Sequence, residues 1–128
     1  MKVEVAGAAV PRLSRRQIAA FARHALRAAR GDVGELSIAF VDDATMRALN
    51  RKFRRKNKTT DVLTFPAEIV ISLDQARRQA RDEKHSLATE VRYLILHGIL
   101  HALGYDHETD RGEMNALELN VRERVGLD

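Results

Sequence analysis

Three histidines, His97, His101 and His107, stand at spacings that could hold one metal ion. On a helix, side chains four residues apart lie on one face with Cβ atoms roughly 5–6 Å apart, so His97 and His101 can offer two imidazole nitrogens to the same ion. Gly104 can end that helix, because glycine adopts the left-handed conformation without a Cβ penalty. The chain can then turn and bring His107 to the same ion. Three neutral ligands would leave a fourth position open for water, which is typical of a catalytic zinc site.

The residue after His97 limits the chemistry of such a site. Zinc proteases of the H-E-x-x-H type carry a glutamate there as general base, whereas this chain carries Gly98. Peptide hydrolysis by that mechanism is therefore not expected.

Two alternatives to a zinc site at the three histidines stay open. Imidazole ligands suit copper, nickel or iron as well as zinc, and the histidines could instead be two core residues and one surface residue.

Composition indicates one domain over residues 1–128, long enough to bury a single core. The chain has no cysteine, so disulfides are excluded and the metal ligands are expected to be nitrogen or oxygen. No segment approaches the ~18 apolar residues of a membrane helix. The first residues, Met1–Val5, lack the hydrophobic run of a signal peptide. We therefore expect a cytoplasmic location and no membrane partner.

Positive charge is concentrated in the first half of the chain. Residues 1–60 hold 14 Lys and Arg against 5 Asp and Glu, whereas residues 61–128 hold 8 against 13. The densest basic run is Arg51–Lys58. Such a run is usually a solvated loop, but beside a hydrolytic metal site it favours binding of a polyanion such as RNA. The candidate substrate-binding residues are Arg54, Arg55, Lys56 and Lys58.

Hydrophobic periodicity and capping residues predict alternating strands and helices. The segments 2–5, 36–41, 61–65 and 69–71 are the predicted strands. Helices are predicted to begin at Ser14, Asp42 or Asp43, Leu73, Ser86 and, through a capping box with Glu113, Asp110, with Gly126 ending the last. The helix that carries His97 and His101 is apolar on nearly every side, so we expect it to pack centrally. The predicted fold class is α/β, with about four strands in one mixed sheet covered by helices and a zincin-like central metal-binding helix.

Three segments together resemble the YbeY family of bacterial ribosomal RNA maturation factors, described as metal-dependent single-strand-specific endoribonucleases. They are Asn50–Arg54 leading into Thr59–Pro66, then Ile69–Ser72, and finally His97–His107. The order of elements also agrees, so the resemblance extends over essentially the whole chain. One departure is a longer family loop, ending in Gly-Asp, where this chain has only Ala67 and Glu68 before Ile69. The departure bears on substrate or partner contacts and not on the metal ligands.

The resemblance implies a function and its participants. It implies cleavage of RNA during 16S ribosomal RNA maturation and ribosome quality control, with ribosomal RNA and the small ribosomal subunit as partners and no DNA partner. It also implies that His97, His101 and His107 hold one ion per chain, for which zinc is the expected metal. Arg54 is then the functional arginine beside that ion, and Arg54 and His101 are the candidate catalytic residues.

Several side chains around the histidines have candidate roles. Arg54 would hold a phosphate through its planar guanidinium group, although an arginine in a basic run is often only a solvated cation. Asp61 and Asp106 could orient a ligand or a water by hydrogen bonding, and Asp61 could equally cap a turn. No general base stands out. The nucleophile could be water or the RNA 2′-hydroxyl.

Two other functions remain open at the level of sequence. One is a non-catalytic ribosomal RNA-binding assembly factor with a structural metal. The other is a zinc hydrolase of a different substrate, such as a peptide or a small amide, which Gly98 disfavours. The open fourth metal position favours an enzyme, whereas the missing general base favours a binding protein.

Overall fold

The order of strands and helices along the chain is the predicted one, with β3 and β4 consecutive and three helices at the end. The structure, a computed structural model, describes residues 2–106 and 108–127. The strands are β1 (Lys2–Gly7), β2 (Glu35–Val41), β3 (Val62–Phe65) and β4 (Glu68–Ser72). The helices are α1 (Arg15–Ala28), α2 (Asp43–Arg54), α3 (Leu73–Glu83), α4 (Leu87–Ala102) and α5 (Glu113–Val125). His107, one of the predicted metal ligands, lies outside the described residues.

The described strands form one mixed sheet in the order β1-β2-β4-β3. β1 is parallel to β2 and β2 is parallel to β4, whereas β3 is antiparallel to β4. Phe65 pairs with Glu68, so only Pro66 and Ala67 form the turn between β3 and β4. A two-residue turn suffices because the two strands are antiparallel neighbours. The prediction of an α/β fold with a four-stranded mixed sheet is confirmed.

Alternation along β4 divides its side chains between the two faces of the sheet. Ile69 and Ile71 belong to the main core, whereas Val70 packs with Met46 and Leu63 in a smaller cluster. Met46 lies on α2, so this helix covers the face opposite the main core. Side chains alternate between faces in any strand. Here the continuous apolar run of β4 therefore reflects burial on both sides.

Helix α4 lies at the centre of the main core. It contacts α1, α3, α5, β3 and β4, as its apolar composition predicts. At Gly98 it approaches β4 so closely that a Cβ atom would lie 2.8 Å from Cγ2 of Ile69. Gly98 therefore permits close contact between helix and sheet. Within the described residues, no helix is both long enough and apolar enough to cross a membrane.

The helix starts confirm most of the capping predictions. The hydroxyl of Ser14 and the side chain of Gln17 form a complete capping box at α1. The side chains of Asp42 and Ser86 accept hydrogen bonds at the first turns of α2 and α4. Each of these side chains compensates a backbone N–H that has no partner within its helix.

The start of α5 differs from the prediction. Its first flanking residue is Gly112, with φ of +99°, and no side chain caps the helix from that position. The predicted capping box between Asp110 and Glu113 is therefore wrong. The left-handed residue Gly112 separates Asp110 from the helix, and the Asp110 carboxylate instead accepts hydrogen bonds from the backbone N–H groups of Gly112 and Met114.

Candidate active site

His97 and His101 lie one helical turn apart on α4 with their rings adjacent. Their Nε2 atoms are 3.1 Å apart, and the ring planes meet at 76°. Two imidazole nitrogens on one tetrahedral zinc ion, with bonds of about 2.0–2.1 Å, would be about 3.3 Å apart. Both rings are partly exposed, so their nitrogens are accessible from a cleft. The pair therefore fits two ligands of one metal ion.

The end of α4 is a Schellman motif formed at Gly104. The Gly104 N–H donates to the carbonyl of His101 at 2.9 Å, and the Tyr105 N–H donates to the carbonyl of Leu100 at 3.1 Å. Gly104 has φ of +99°, and a Cβ atom there would meet nothing within 4 Å. Glycine is therefore favoured at this position by the left-handed backbone conformation, and not by a lack of space for a side chain. The prediction that Gly104 ends the helix and turns the chain is confirmed.

The third predicted ligand, His107, cannot be placed beside the other two. It is absent from the described residues, and within 2–106 and 108–127 no three His, Asp or Glu side chains converge on a metal position. His97 and His101 supply two nitrogens of the predicted set. The complete three-histidine site remains a prediction.

Glu118 on α5 is a residue of the site that no sequence motif indicates. Its Oε1 atom lies 3.5 Å from Nδ1 of His97, and its side chain is 15% exposed. A carboxylate facing Nδ1 favours a proton on that nitrogen, which leaves the lone pair on Nε2 for a metal. Metal-binding histidines commonly have such a partner.

Glu118 is itself held by Arg122, one turn later on α5. Arg122 Nη2 lies 3.1 Å from Glu118 Oε2, and its guanidinium carbon lies 4.7 Å from the ring centre of Tyr93. The Tyr93 hydroxyl donates to the carbonyl of Leu127. These contacts join α4 and α5 behind His97. The only signal in the sequence was the i,i+4 pair of Glu118 and Arg122, which is common on solvated helices.

Arg54 is the last residue of α2 and lines the same cleft as the two histidines. The cleft encloses about 500 Å³. α2 ends here because Arg55 adopts a left-handed conformation with φ of +57°. Arg54, His97 and His101 therefore line one cleft, and the role of Arg54 beside a metal remains a prediction. The described residues that line the cleft are Arg54, Asp61, Val62, Thr64, Phe65, Pro66, His97, His101, Ala102, Gly104, Tyr105, Asp106 and Glu108.

Asp61 and Asp106 also line this cleft, on different segments. Asp61 lies just before β3 and not within it as predicted, and its carboxylate accepts hydrogen bonds from Val62 N at 2.8 Å and Gln79 Nε2 at 3.2 Å. Asp106 is exposed and accepts a hydrogen bond from Glu108 N at 3.0 Å. Both carboxylates are thus held by neighbouring donors at the wall of the cleft.

The rest of the basic run is placed differently from Arg54. Arg55, Lys56 and Lys58 are exposed, and none of them belongs to the described lining of the cleft. Lys58 borders a separate depression together with Asp43. The predicted substrate-binding group is therefore divided between one arginine in the cleft and three cations outside it.

Hydrogen bonds to Asp43 hold in place the segment that leads from α2 to Asp61. The hydroxyls of Ser72 and Thr59 donate to Asp43 Oδ1 at 2.8 and 3.1 Å, and Arg78 donates to Oδ2 at 2.6 Å. Burial alone would raise the pKa of the Asp43 carboxyl. The hydrogen bonds from Arg78, Ser72 and Thr59 outweigh burial and hold that pKa below its usual value.

The fold and the cleft define the class of this protein as a small α/β protein with a histidine pair and an arginine at one cleft. The family model described as Endoribonuclease YbeY matches residues 6–126. The chain therefore belongs to the YbeY family of endoribonucleases.

Individual relatives agree with this assignment. The chain is 47% identical over 108 residues to an Endoribonuclease YbeY of Koribacter versatilis, covering 79% of this chain and 71% of the relative. It is 44% identical over 121 residues to one of Solibacter usitatus, covering 90% and 82%. The solution structure of TM1509 from Thermotoga maritima has a similar fold, with a TM-score of 0.66 and 24% identity over 96% of this chain and 88% of that one.

Proposed function

We propose that this protein is a metal-dependent endoribonuclease that cleaves single-stranded ribosomal RNA during 16S RNA maturation and ribosome quality control. The observation that supports the proposal most is the pair of Nε2 atoms of His97 and His101, 3.1 Å apart in the cleft that Arg54 lines. Ribosomal RNA and the small ribosomal subunit are then its partners, and the cytoplasm is its location.

His97, His101 and His107 would hold one ion, for which zinc is the proposed metal. The chemistry that zinc supplies in such a site is Lewis acidity toward water or a phosphoryl oxygen. Glu118 would keep the proton of His97 on Nδ1 and fix the orientation of the ring.

Arg54 would bind the scissile phosphate in this cleft. Its guanidinium group can donate two parallel hydrogen bonds to phosphate oxygens, and it remains charged throughout the reaction. Charge that develops on those oxygens in the transition state would be stabilised by the same donors. Arg55, Lys56 and Lys58, outside the cleft, would attract the RNA backbone without contacting the reacting phosphate.

At the cleft wall, the Asp61 carboxylate would accept a hydrogen bond from the substrate or from a water molecule. Val62 and Gln79 already donate to its carboxylate, which fixes its position. Asp106 precedes His107 in the sequence, and its carboxylate accepts a hydrogen bond from the backbone N–H of Glu108, which would keep that carboxylate oriented at the cleft. These roles orient groups and require no proton transfer by either aspartate.

Hydrolysis of a peptide by the H-E-x-x-H mechanism is disfavoured by the packing at position 98. A glutamate in place of Gly98 would collide with Ile69, because even a Cβ atom would lie within 3.1 Å of three Ile69 carbons. The base that this mechanism needs has no space in this helix. The position serves helix–sheet packing instead.

Cleavage of single-stranded RNA by the purified protein tests the proposal. We expect cuts in a single-stranded oligoribonucleotide, none in the same sequence within a duplex, and loss of cutting with a chelator. A 5′-phosphate or a 2′,3′-cyclic phosphate on the products would identify water or the 2′-hydroxyl as the nucleophile. Tight RNA binding without any cleavage by the metal-loaded protein would overturn the proposal and indicate an assembly factor.

A further inference from the structure

Phe53 is a large apolar side chain that α2 presents to solvent. It is 55% exposed, and the only other large hydrophobic residue this exposed within the described chain is Leu119, at 50%. A single exposed apolar side chain is ordinary on a protein surface. Exposure alone therefore assigns no role to Phe53. A role must be inferred from the residues that surround Phe53 and Leu119.

The surroundings of Phe53 connect it to the cleft. Its ring lies 5.2 Å from the ring of Phe65, at an interplanar angle of 72°. Phe65 lines the cleft together with Arg54, which follows Phe53 in the chain. Phe53 therefore extends an aromatic surface from the cleft wall to its outer rim.

Cations flank this aromatic surface. Lys52 Nζ lies 5.2 Å from the centre of the Phe53 ring, and Arg54 and Arg55 follow in the chain. An exposed contact between a lysine and a ring is weaker than the stacking of a nucleobase on that ring. A base can therefore displace Lys52, whose flexible ammonium group remains free to move to a nearby phosphate.

The combination of an exposed ring and adjacent cations is complementary to one ligand chemistry. Proteins that bind single-stranded nucleic acids combine a positively charged groove with aromatic rings on which bases stack. An apolar peptide segment would gain nothing from the cations. A base inside a duplex is already stacked on its neighbours and cannot reach the ring.

We propose that Phe53, supported edge-on by Phe65, is a stacking site for an unpaired nucleobase of an RNA strand whose phosphate lies at Arg54. The inference rests on the proposed cleavage of RNA and adds a physical origin for a single-strand preference. Cleavage requires a base that is free to leave its own stack, and the ring at the rim selects strands that offer one.

The lack of tryptophan in the chain permits a direct test. Phe53→Trp places a single tryptophan, which can be excited selectively over the two tyrosines, at the proposed site, and Leu119→Trp places one at the matched exposed position on α5. Each variant is mixed by stopped flow with a single-stranded oligoribonucleotide, so that binding is recorded before cleavage. We expect quenching at position 53 and none at position 119. Inorganic polyphosphate, which has charge but no bases, should not quench either.

Binding by labelled-RNA anisotropy serves as the second readout. Phe53→Leu keeps an apolar side chain but removes the π face, so the affinity for single-stranded RNA should fall about tenfold. Phe53→Tyr should restore it to within about twofold, since the ring is kept. Leu119→Ala should change nothing. The salt dependence of binding should be the same in all three variants, because no charge is removed.

Several results would overturn the inference. Unchanged affinity in Phe53→Leu would do so, as would RNA binding without quenching at position 53 or equal quenching by polyphosphate. If the wild-type protein still cleaves RNA in those cases, the proposed function stands and only the stacking site fails. Absence of RNA binding by the wild-type protein would overturn both.

Discussion

The Glu118 carboxylate on α5 lies 3.5 Å from Nδ1 of His97 on α4, on the side of the ring opposite the nitrogen that faces His101. A carboxylate in that position fixes both the tautomer and the orientation of an imidazole. In the proposed function this contact would orient the histidine pair for a metal, although α5 contributes no proposed ligand within the described residues.

The first prediction concerns this contact. Glu118→Ala should weaken zinc affinity about 10- to 100-fold, because loss of such a partner lowers the basicity and order of the ligand. Glu118→Gln should lose less, since its amide oxygen can still accept from Nδ1. Competition with a chromophoric chelator measures the affinity without any cleavage assay. The exposed Glu123 on the same helix provides the control variant Glu123→Gln, and equal affinities for it and Glu118→Ala would contradict the role of Glu118.

The parts of the fold that local sequence specifies were predictable. Ser14, Asp42 and Ser86 start helices through hydrogen bonds within their own first turns. Gly126 ends α5 through its left-handed conformation. These signals act over a few residues and need no tertiary context.

Individual side-chain contacts between distant segments were not predictable where no motif indicates them. Glu118 meets His97 only because α5 packs on α4, and Phe53 meets Phe65 only because α2 ends beside β3. The start of α5 was misassigned because the left-handed turn at Gly112 leaves Asp110 outside the helix. The family motif indicates Arg54 as the proposed phosphate-binding residue, whereas the basic run alone could not separate it from Lys56.

The second prediction separates Arg54 from its neighbours. Arg54→Ala should lower the cleavage rate at saturating RNA by about 10²–10³-fold, the usual effect of removing one donor to a developing charge. Zinc content and folding should not change. Arg54→Lys should not restore the rate, because an ammonium group lacks the bidentate geometry. Lys56→Ala, outside the cleft, is the matched control, and equal rates for the two alanine variants would remove Arg54 from the mechanism.

The third prediction concerns the contact of α4 with the sheet. Gly98→Ala should destabilise the protein by about 1–3 kcal/mol, because its Cβ would lie 2.8 Å from Cγ2 of Ile69 and a packed core cannot easily yield. Urea unfolding measures the change. Replacement of Gly104 is the comparison variant. No atom lies within 4 Å of a Cβ atom there, so the replacement introduces backbone strain without steric overlap. If Gly98→Ala were as stable as the wild type, α4 would have to lie farther from β4 than the structure shows.

The fourth prediction is a pH dependence of stability from Asp43. Its pKa is lowered in the folded state, so its stabilising contribution is present above the unfolded pKa of about 3.9 and is lost as the pH falls through the folded value. The free energy of unfolding of the wild type should therefore fall more steeply below about pH 4 than that of Asp43→Asn. Urea titrations at several pH values measure both curves. Parallel curves would contradict the network around Asp43.

The proposed function requires that a metal held by the histidines supports RNA cleavage. The most direct measurement is the cleavage rate of single-stranded RNA as zinc is added back to chelator-treated protein, for the wild type and for His101→Ala. We expect wild-type activity to rise linearly and reach a plateau at one equivalent of zinc, while His101→Ala stays inactive and binds zinc weakly. Full activity without metal, or equal restoration of His101→Ala, would contradict it.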